Sequence, residues 1–279
     1  MIKRIITGLI ALAILIPLLV FSGTFVFPVL LAIVTVICLF EMFRCMGIHK
    51  KYDITMSAYT VAVIVPFFMR YIDNKVSVAK LCFVVGIMYL ITVFASMIWS
   101  HGRIQFNDSM TIFVITAYII GSINSIIFVR DFEDVGQYVY MLIFFGAWMT
   151  DTFAYFAGYF FGKHKLIADV SPKKTVEGSV GGILGCILSF IAYGLIVDIA
   201  FERTANIWFL ALMGFIASVV AQIGDLLMSV IKRHYGVKDY GTLFPGHGGM
   251  LDRLDSVLTV ALGMAAVCMV ADVFEIQLF

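Results

Sequence analysis

The chain has 279 residues, of which 62% are hydrophobic and only 13% are charged. Soluble domains are closer to half apolar and a quarter charged, so this composition excludes an ordinary soluble protein and indicates an integral membrane protein. The net charge of +1 does not identify a partner. We expect contact with membrane lipid and none with nucleic acid.

Apolar stretches long enough to cross a bilayer recur along the chain, since about 20 residues of helix span the hydrocarbon core. A backbone that faces lipid must satisfy its own hydrogen bonds, which favours helices. We therefore predict an all-α polytopic membrane protein with about nine transmembrane helices. The predicted spans are 5–22, 25–43, 55–72, 77–99, 109–129, 137–161, 178–200, 206–231 and 256–275.

The first of these stretches, MIKRIITGLIALAILIPLLVFSG, begins like a signal peptide. Its apolar part is long for one and no small-residue cleavage site follows, so we predict a transmembrane helix. With this end in the cytoplasm, 14 of the 19 Lys and Arg residues lie on the inner side, as the positive-inside rule expects. Outside the loops 162–177 and 232–255 the split is only 6 to 5. These loops are two spans apart and lie on the same side in either orientation.

Cysteine and histidine give no sign of a soft-metal site. The five cysteines contain no C-x-x-C pair, and the five histidines are scattered. We interpret the cysteines as small hydrophobic residues of the helices, and we expect no zinc site.

Asp151 and Asp225 each interrupt a predicted span. Asp151 lies in FFGAWMTDTFAYFAGYFFG and Asp225 in ASVVAQIGDLLMSVIKR. Ionisable groups inside a membrane cost about 2.5–3.5 kcal/mol on insertion scales and are functional candidates by default. The alternative is a buried acid paired with Lys or Arg for structure. Asp225 shares one helix face with Ser229 and Lys232, and that face leads from the membrane interior to a polar loop.

The loop 162–177 combines hydroxyl and ammonium groups just before a predicted helix. Its polar residues are Ser171, Lys173, Lys174 and Thr175, followed by Glu177. Such groups, together with unpaired backbone N–H groups at a helix start, suit phosphate binding. The alternative is a basic loop that only sets the membrane topology.

The loop 232–255 places acids beside glycines. Asp252 and Asp255 are three residues apart, on one face if the last helix starts near Leu251. Such oxygen ligands suit Mg²⁺, which takes one or two carboxylates and completes its shell with water and phosphate. Asp255 alone is alternatively a helix cap. His247 lies among glycines that allow close backbone approach. It is predicted to act as a general acid or as a hydrogen-bond donor to phosphate; the alternative is a loop histidine bonded to the backbone.

Residues 229–255, SVIKRHYGVKDYGTLFPGHGGMLDRLD, resemble the signature of the phosphatidate cytidylyltransferases, also called CDP-diacylglycerol synthases. The stretches DTFAYFAGYFFGKH and SPKKTVEGSVGG resemble the same family. The resemblance covers roughly the second half of the chain in motif and the whole chain in architecture. It implies that CTP and phosphatidate give CDP-diacylglycerol and pyrophosphate, with Mg²⁺ required and a homodimer as the assembly.

The resemblance also implies Asp225 and Asp252 as metal ligands; we add Asp151 as a third candidate, and a second cation beside Mg²⁺ is left open. The expected catalytic residues are Asp225, Lys232, Arg233, Lys238, His247, Asp252 and Arg253. The expected substrate-binding residues are Ser171, Lys173, Lys174, Ser229, Gly248, Gly249 and Asp255. Residues 1–135 are expected to form a lipid-facing scaffold of transmembrane helices, and residues 136–279 a C-terminal transmembrane catalytic region. The expected location is the plasma membrane, with the site toward the cytoplasm.

Three other functions stay open from the residues alone. A transporter or channel would use Asp151 and Asp225 as ion or proton sites, but the charges cluster in same-side loops and no paired half-repeats are visible. A CTP-dependent enzyme for another lipid phosphate would carry similar motifs, because they bind phosphate and not the lipid tail. A non-catalytic scaffold has little reason to concentrate acids and bases in this way. A CDP-alcohol phosphotransferase is excluded, since D-G-x-x-A-R is absent.

Overall fold

The computed structural model describes residues 20–72, 74–244, 246 and 248–276. Two 3₁₀ turns, Phe21–Gly23 and Glu133–Val135, and one hairpin, β1 Lys165–Ile167 and β2 Ser171–Thr175, accompany the helices. The helices are α1 Val26–Cys45, α2 Tyr52–Tyr71, α3 Lys75–Trp99, α4 Phe106–Arg130, α5 Gly136–Phe161, α6 Val176–Phe201, α7 Ile207–His234 and α8 Leu251–Val273.

All eight helices of the described residues are long and apolar enough to cross a membrane. They coincide with the eight predicted spans from 25–43 onward, which confirms the prediction of an all-α polytopic membrane protein. The predicted span 5–22 falls almost entirely outside the described residues. The last helix starts at Leu251, earlier than the predicted 256, so Asp252 and Asp255 lie near its beginning.

Polar side chains cap helices in the second half of the chain. Asn206 accepts the backbone N–H of Phe209 at the start of α7, and Thr175 accepts that of Gly178 at the start of α6. The first amides of a helix have no carbonyl partner within it, and Asn and Thr side chains satisfy them. These caps therefore fix where the apolar helices begin.

A short antiparallel hairpin lies within the predicted loop 162–177. Lys165 pairs with Thr175, and Ile167 pairs with Ser171. Strands of three and five residues are too short to show an alternating pattern, which is why the sequence did not indicate them. The hairpin gives the polar side chains of this segment defined positions.

The chain divides into two compact units. The first comprises residues 1–127 and 237–253, and the second comprises residues 128–236 and 254–279. In the first unit, α1 packs against α2 and α2 against α3. In the second, α5, α6 and α7 pack against one another. The expected division at residue 135 concerns the roles of two regions and stays a prediction.

Glycines allow α5 and α6 to approach closely. A Cβ atom at Gly181 would overlap the Cβ of Ala157, and one at Gly182 would lie 3.0 Å from the backbone oxygen of Thr150. Small residues serve this purpose at many membrane helix interfaces, because van der Waals packing holds such helices together. The close approach also fixes the two helix ends that the hairpin joins.

We expect Gly181→Ala to destabilise the protein by about 1–3 kcal/mol, because the added methyl group overlaps Ala157 and forces the helices apart. Gly86→Ala is the matched control, since among the described residues no atom beyond the local helix backbone lies within 4 Å of a Cβ at that position of α3. The measurement is the thermal unfolding midpoint of each purified variant in one detergent. Equal midpoints for wild type and both variants would contradict the close packing of α5 on α6.

Candidate active site

Lys174 on β2 and Asp225 on α7 form an ion pair within the second unit. The lysine Nζ lies 2.5 Å from Oδ2 of the aspartate, and each side chain is 26% exposed. The hairpin thus brings a base from the first polar segment to an acid of a membrane helix. The structure brings these two predicted site residues into contact. The same ion pair fits both interpretations of Asp225, as a functional acid and as a buried acid that Lys174 pairs for structure.

Asp255 on α8 extends this group of charges. Its Oδ2 lies 4.0 Å from Nζ of Lys232 at the end of α7. Its carboxylate also interacts electrostatically with those of Asp225 and Asp151. Lys232 is buried, with 9% of its surface exposed, and Ser229 lies one helical turn before it on α7.

We call Lys174, Asp225, Lys232 and Asp255 the acid–lysine cluster. Its members come from β2, α7 and α8, and all belong to the second unit. Charges that leave water are costly unless they are paired, so each lysine stabilises a neighbouring carboxylate. The cluster concentrates two ammonium groups and two carboxylates at one end of the membrane helices.

Glu177, in the first turn of α6, holds the start of the hairpin segment. Its carboxylate accepts the backbone N–H groups of Lys163 at 3.1 Å and His164 at 3.2 Å. The Nδ1 atom of His164 lies 2.6 Å from Oε1 of Glu177. The other end of the hairpin leads directly into α6 through its cap, Thr175. Both ends of the segment that carries Lys174 are therefore fixed to one helix start.

A polar contact between membrane helices lies one turn from Asp225. The hydroxyl of Ser179 on α6 donates to Oε1 of Gln222 on α7 at 2.5 Å. The amide Nε2 of Gln222 donates to the backbone oxygen of Ser179 at 3.3 Å. Side-chain hydrogen bonds between membrane helices help to fix their register. This contact therefore helps to align α7 with the hairpin end of α6.

Asp252 organises the glycine-rich segment of the first unit. Its Oδ2 accepts backbone N–H groups from Tyr240 at 2.8 Å, Gly249 at 2.9 Å and Gly241 at 3.4 Å. The residue is 6% exposed. A carboxylate that several amides hold has a fixed orientation, which a metal ligand needs. Gly248, whose φ is +83°, adopts the left-handed backbone that glycine tolerates.

Glu41 on α1 was not among the predicted site residues. It is 4% exposed and accepts the backbone N–H groups of Met250 and Leu251 at the start of α8. Its signal in the sequence is an acid within an apolar span, the same rule that selected Asp151 and Asp225. The first half of the chain contains no recognised motif that points to this residue.

Comparisons along the whole chain decide the family. The model of the cytidylyltransferase family matches residues 2–271. The chain belongs to this family. A phosphatidate cytidylyltransferase from Staphylococcus haemolyticus is 34% identical over 259 residues, which cover 92% of this chain and 95% of the relative. Proteins of the same name from Staphylococcus epidermidis and Staphylococcus aureus are 35% and 32% identical, with the same coverage.

The other predicted site residues of this cytidylyltransferase-family protein are mostly exposed. Ser171 is half-buried and Gly249 is buried, whereas His247 lies outside the described residues. The exposed residues are Asp151, Lys173, Arg233, Lys238 and Arg253.

The three predicted metal ligands are divided between the units, since Asp151 and Asp225 belong to the second and Asp252 to the first. Among the described residues, no group of three or more His, Cys, Asp or Glu side chains is arranged to hold a metal ion. Mg²⁺ does not require such a group, because it commonly takes one or two carboxylates and completes its shell with water and substrate phosphate. The metal assignment therefore stays a prediction.

We expect Glu177→Ala to loosen the hairpin, because the amides of Lys163 and His164 lose their carboxylate. Hydrogen exchange of the peptide covering 163–175 should become faster, while α7 keeps its protection. Asp108→Ala is the matched control, since it removes an acid from the first turn of α4. Unchanged exchange in 163–175 would show that Glu177 does not hold the hairpin.

Proposed function

We propose that this protein is a membrane-bound phosphatidate cytidylyltransferase, which converts CTP and phosphatidate to CDP-diacylglycerol and pyrophosphate. Relatives that bear the name phosphatidate cytidylyltransferase, aligned over 92% of the chain, support this activity. The observation that carries the proposal is the acid–lysine cluster, with Lys174 and Asp225 in contact at 2.5 Å. Such a cluster at the ends of membrane helices suits a reaction between a lipid phosphate and a water-soluble nucleotide.

The chemistry needs charge compensation more than a strong base. An oxygen of the phosphatidate phosphate attacks the α-phosphorus of CTP and forms a new P–O bond. The bond between the α-phosphorus and the bridging oxygen breaks, and pyrophosphate leaves with the electron pair. A phosphate monoester has a second pKa of about 6 and is largely dianionic at neutral pH. Positioning and neutralisation of two anions therefore supply most of the catalysis.

Lysine and arginine side chains are the proposed phosphate-binding groups. Lys174 and Lys232 belong to the acid–lysine cluster, and each is placed against a carboxylate that orients it. Lys173, on β2 beside Lys174, and Arg233, on α7 beside Lys232, are exposed and are proposed to contact phosphates that arrive from water. Electrostatic stabilisation of developing charge is usually the largest catalytic contribution.

Other predicted residues complete the proposed substrate contacts. Ser171 would donate a hydroxyl to phosphate, and Lys238 would bind the triphosphate or phosphatidate. Arg253 would bind either substrate or pair with an acid. Gly248 and Gly249 would line the nucleotide side together with His247.

Mg²⁺ is the proposed cofactor, and the residues present fit it. Asp225 and Asp255 interact electrostatically and offer the one or two carboxylates that Mg²⁺ commonly takes in proteins. Asp252 has an orientation that backbone amides fix, and Asp151 is the remaining candidate. A bound Mg²⁺ would neutralise phosphate charge and favour departure of pyrophosphate. The side chains of this protein orient and balance the two anions.

The membrane setting supports a site at the interface of lipid and water. The helices are those of an integral membrane protein, and we propose the plasma membrane as its location with the site toward the cytoplasm, where CTP is present. The split of basic residues supports this orientation. We also propose a homodimer, on the family resemblance alone.

We expect the purified protein in detergent to release pyrophosphate only when CTP, Mg²⁺ and phosphatidate are all present. Asp252→Ala should lower the rate by at least about 100-fold, since the segment 240–249 loses the carboxylate that orders it. Asp169→Asn is the control, because Asp169 is an exposed acid in the hairpin turn and should leave the rate unchanged. Release with another lipid phosphate but not with phosphatidate would keep the chemistry and change the substrate.

We expect Asp225→Asn to lower activity and to raise the Mg²⁺ concentration for half-maximal rate by about 10- to 100-fold, because a neutral amide binds Mg²⁺ more weakly. The measurement is a Mg²⁺ titration of pyrophosphate release at saturating CTP. A variant with wild-type rate and wild-type Mg²⁺ dependence would refute the assignment of Asp225 as a ligand.

A further inference from the structure

Glu41 is a buried acid in a membrane helix outside the motifs that the proposed function uses. It lies one turn before the end of α1 and is 4% exposed. Acids inside membrane helices are costly and are kept mainly where they perform a task. Its hydrogen bonds identify that task.

Both carboxylate oxygens of Glu41 accept backbone amides at the start of α8. The N–H of Met250 donates to Oε1 at 3.0 Å, and the N–H of Leu251 donates to Oε2 at 2.8 Å. Amides at a helix start have no carbonyl partner in the helix, and the helix dipole favours a negative charge there. A side chain from α1 therefore caps a helix that starts 210 residues later.

Two glycines of the 237–253 segment lie directly against the same carboxylate. A Cβ atom at Gly241 or at Gly249 would overlap the side chain of Glu41. Neither glycine has a positive φ, so these positions require the absence of a side chain and not an unusual backbone. The segment is shaped to accommodate Glu41 as well as to donate hydrogen bonds to it.

Gly249 connects Glu41 with Asp252. Its N–H donates to Oδ2 of Asp252 at 2.9 Å, while its Cα carries the hydrogen atoms that face Glu41. Gly241 also lies against Glu41, and its N–H donates a longer hydrogen bond, of 3.4 Å, to Oδ2 of Asp252. A change at Glu41 would therefore shift the backbone amides that orient Asp252.

We infer that Glu41 is a positioning residue for the cytidylyl transfer, acting through Met250, Leu251 and Gly249 to fix the orientation of Asp252. This inference rests on the proposed function and adds a residue of the first helices to its machinery. Glu41 need not touch CTP, phosphatidate or a metal ion. Its two oxygens are already engaged by the backbone that carries the predicted ligand.

The test is Glu41→Gln, which keeps the size of the side chain but replaces one accepting oxygen by a donor. We expect kcat to fall by about 10- to 100-fold, as is typical when a group that orients a ligand is lost. KM for CTP should change little, and the Mg²⁺ concentration for half-maximal rate should rise. Thr35→Val is the matched control: Thr35 is a fully buried residue of α1 whose hydroxyl donates to the Leu31 oxygen of the same helix.

Hydrogen exchange provides a second readout that does not depend on activity. Glu41→Gln should speed exchange in a peptide covering 249–252, and Thr35→Val should not. Faster exchange together with a wild-type kcat would reduce Glu41 to a helix cap and overturn the inference. Unchanged exchange in 249–252 would also overturn it. If wild type released no pyrophosphate, the proposed function would fail by itself, and faster exchange in 249–252 would still support the contact by which Glu41 orients Asp252.

Discussion

Hydrogen bonds from backbone amides to carboxylates are the interaction on which the polar segments of this protein depend. Away from water, an amide without a partner and a charge without a partner are both costly, and a contact between the two removes both costs. The buried acids Glu41 and Asp252 make such contacts at the start of α8 and in the glycine-rich segment, and Glu177 holds the exposed start of the hairpin with the same kind of hydrogen bond. Each of these acids stabilises a backbone turn that apolar packing could not hold.

The fold follows largely from the sequence because the bilayer restricts what a chain can form. Runs of apolar residues of the right length must be helices, and eight such predictions agree with the structure. The predicted positions of the helix ends are less accurate, as at α8, which begins at Leu251, before the predicted start at 256. Residues 251–255 contain three charges, and hydropathy gives no sign that Glu41 and Asp252 hold the backbone there. Tertiary contacts of this kind cannot be read from a local window.

Residues of the candidate site could be selected from the sequence where their types carry their own chemistry. Asp225 was selected as an acid in a span, and Lys174 as a base in a phosphate-binding pattern; their contact at 2.5 Å joins the two. Glu41 was overlooked because its role depends on a segment more than 200 residues away. The hairpin was also missed, since its strands are held by Glu177 and by their own pairing more than by any apolar alternation. Long-range polar contacts account for these omissions.

The pairing of Lys174 with Asp225 and of Lys232 with Asp255 has a consequence for the order of events at the membrane. Each lysine faces one carboxylate, so the formal charges of the acid–lysine cluster sum to zero. In the proposed reaction a polyanionic substrate would disturb that balance, because a phosphate competes with an aspartate for each ammonium group. In the proposed reaction, a carboxylate that lost its lysine to a phosphate would attract a different cation. Binding of an anionic substrate and uptake of a cation would then favour each other, because together they restore the charge balance of the cluster.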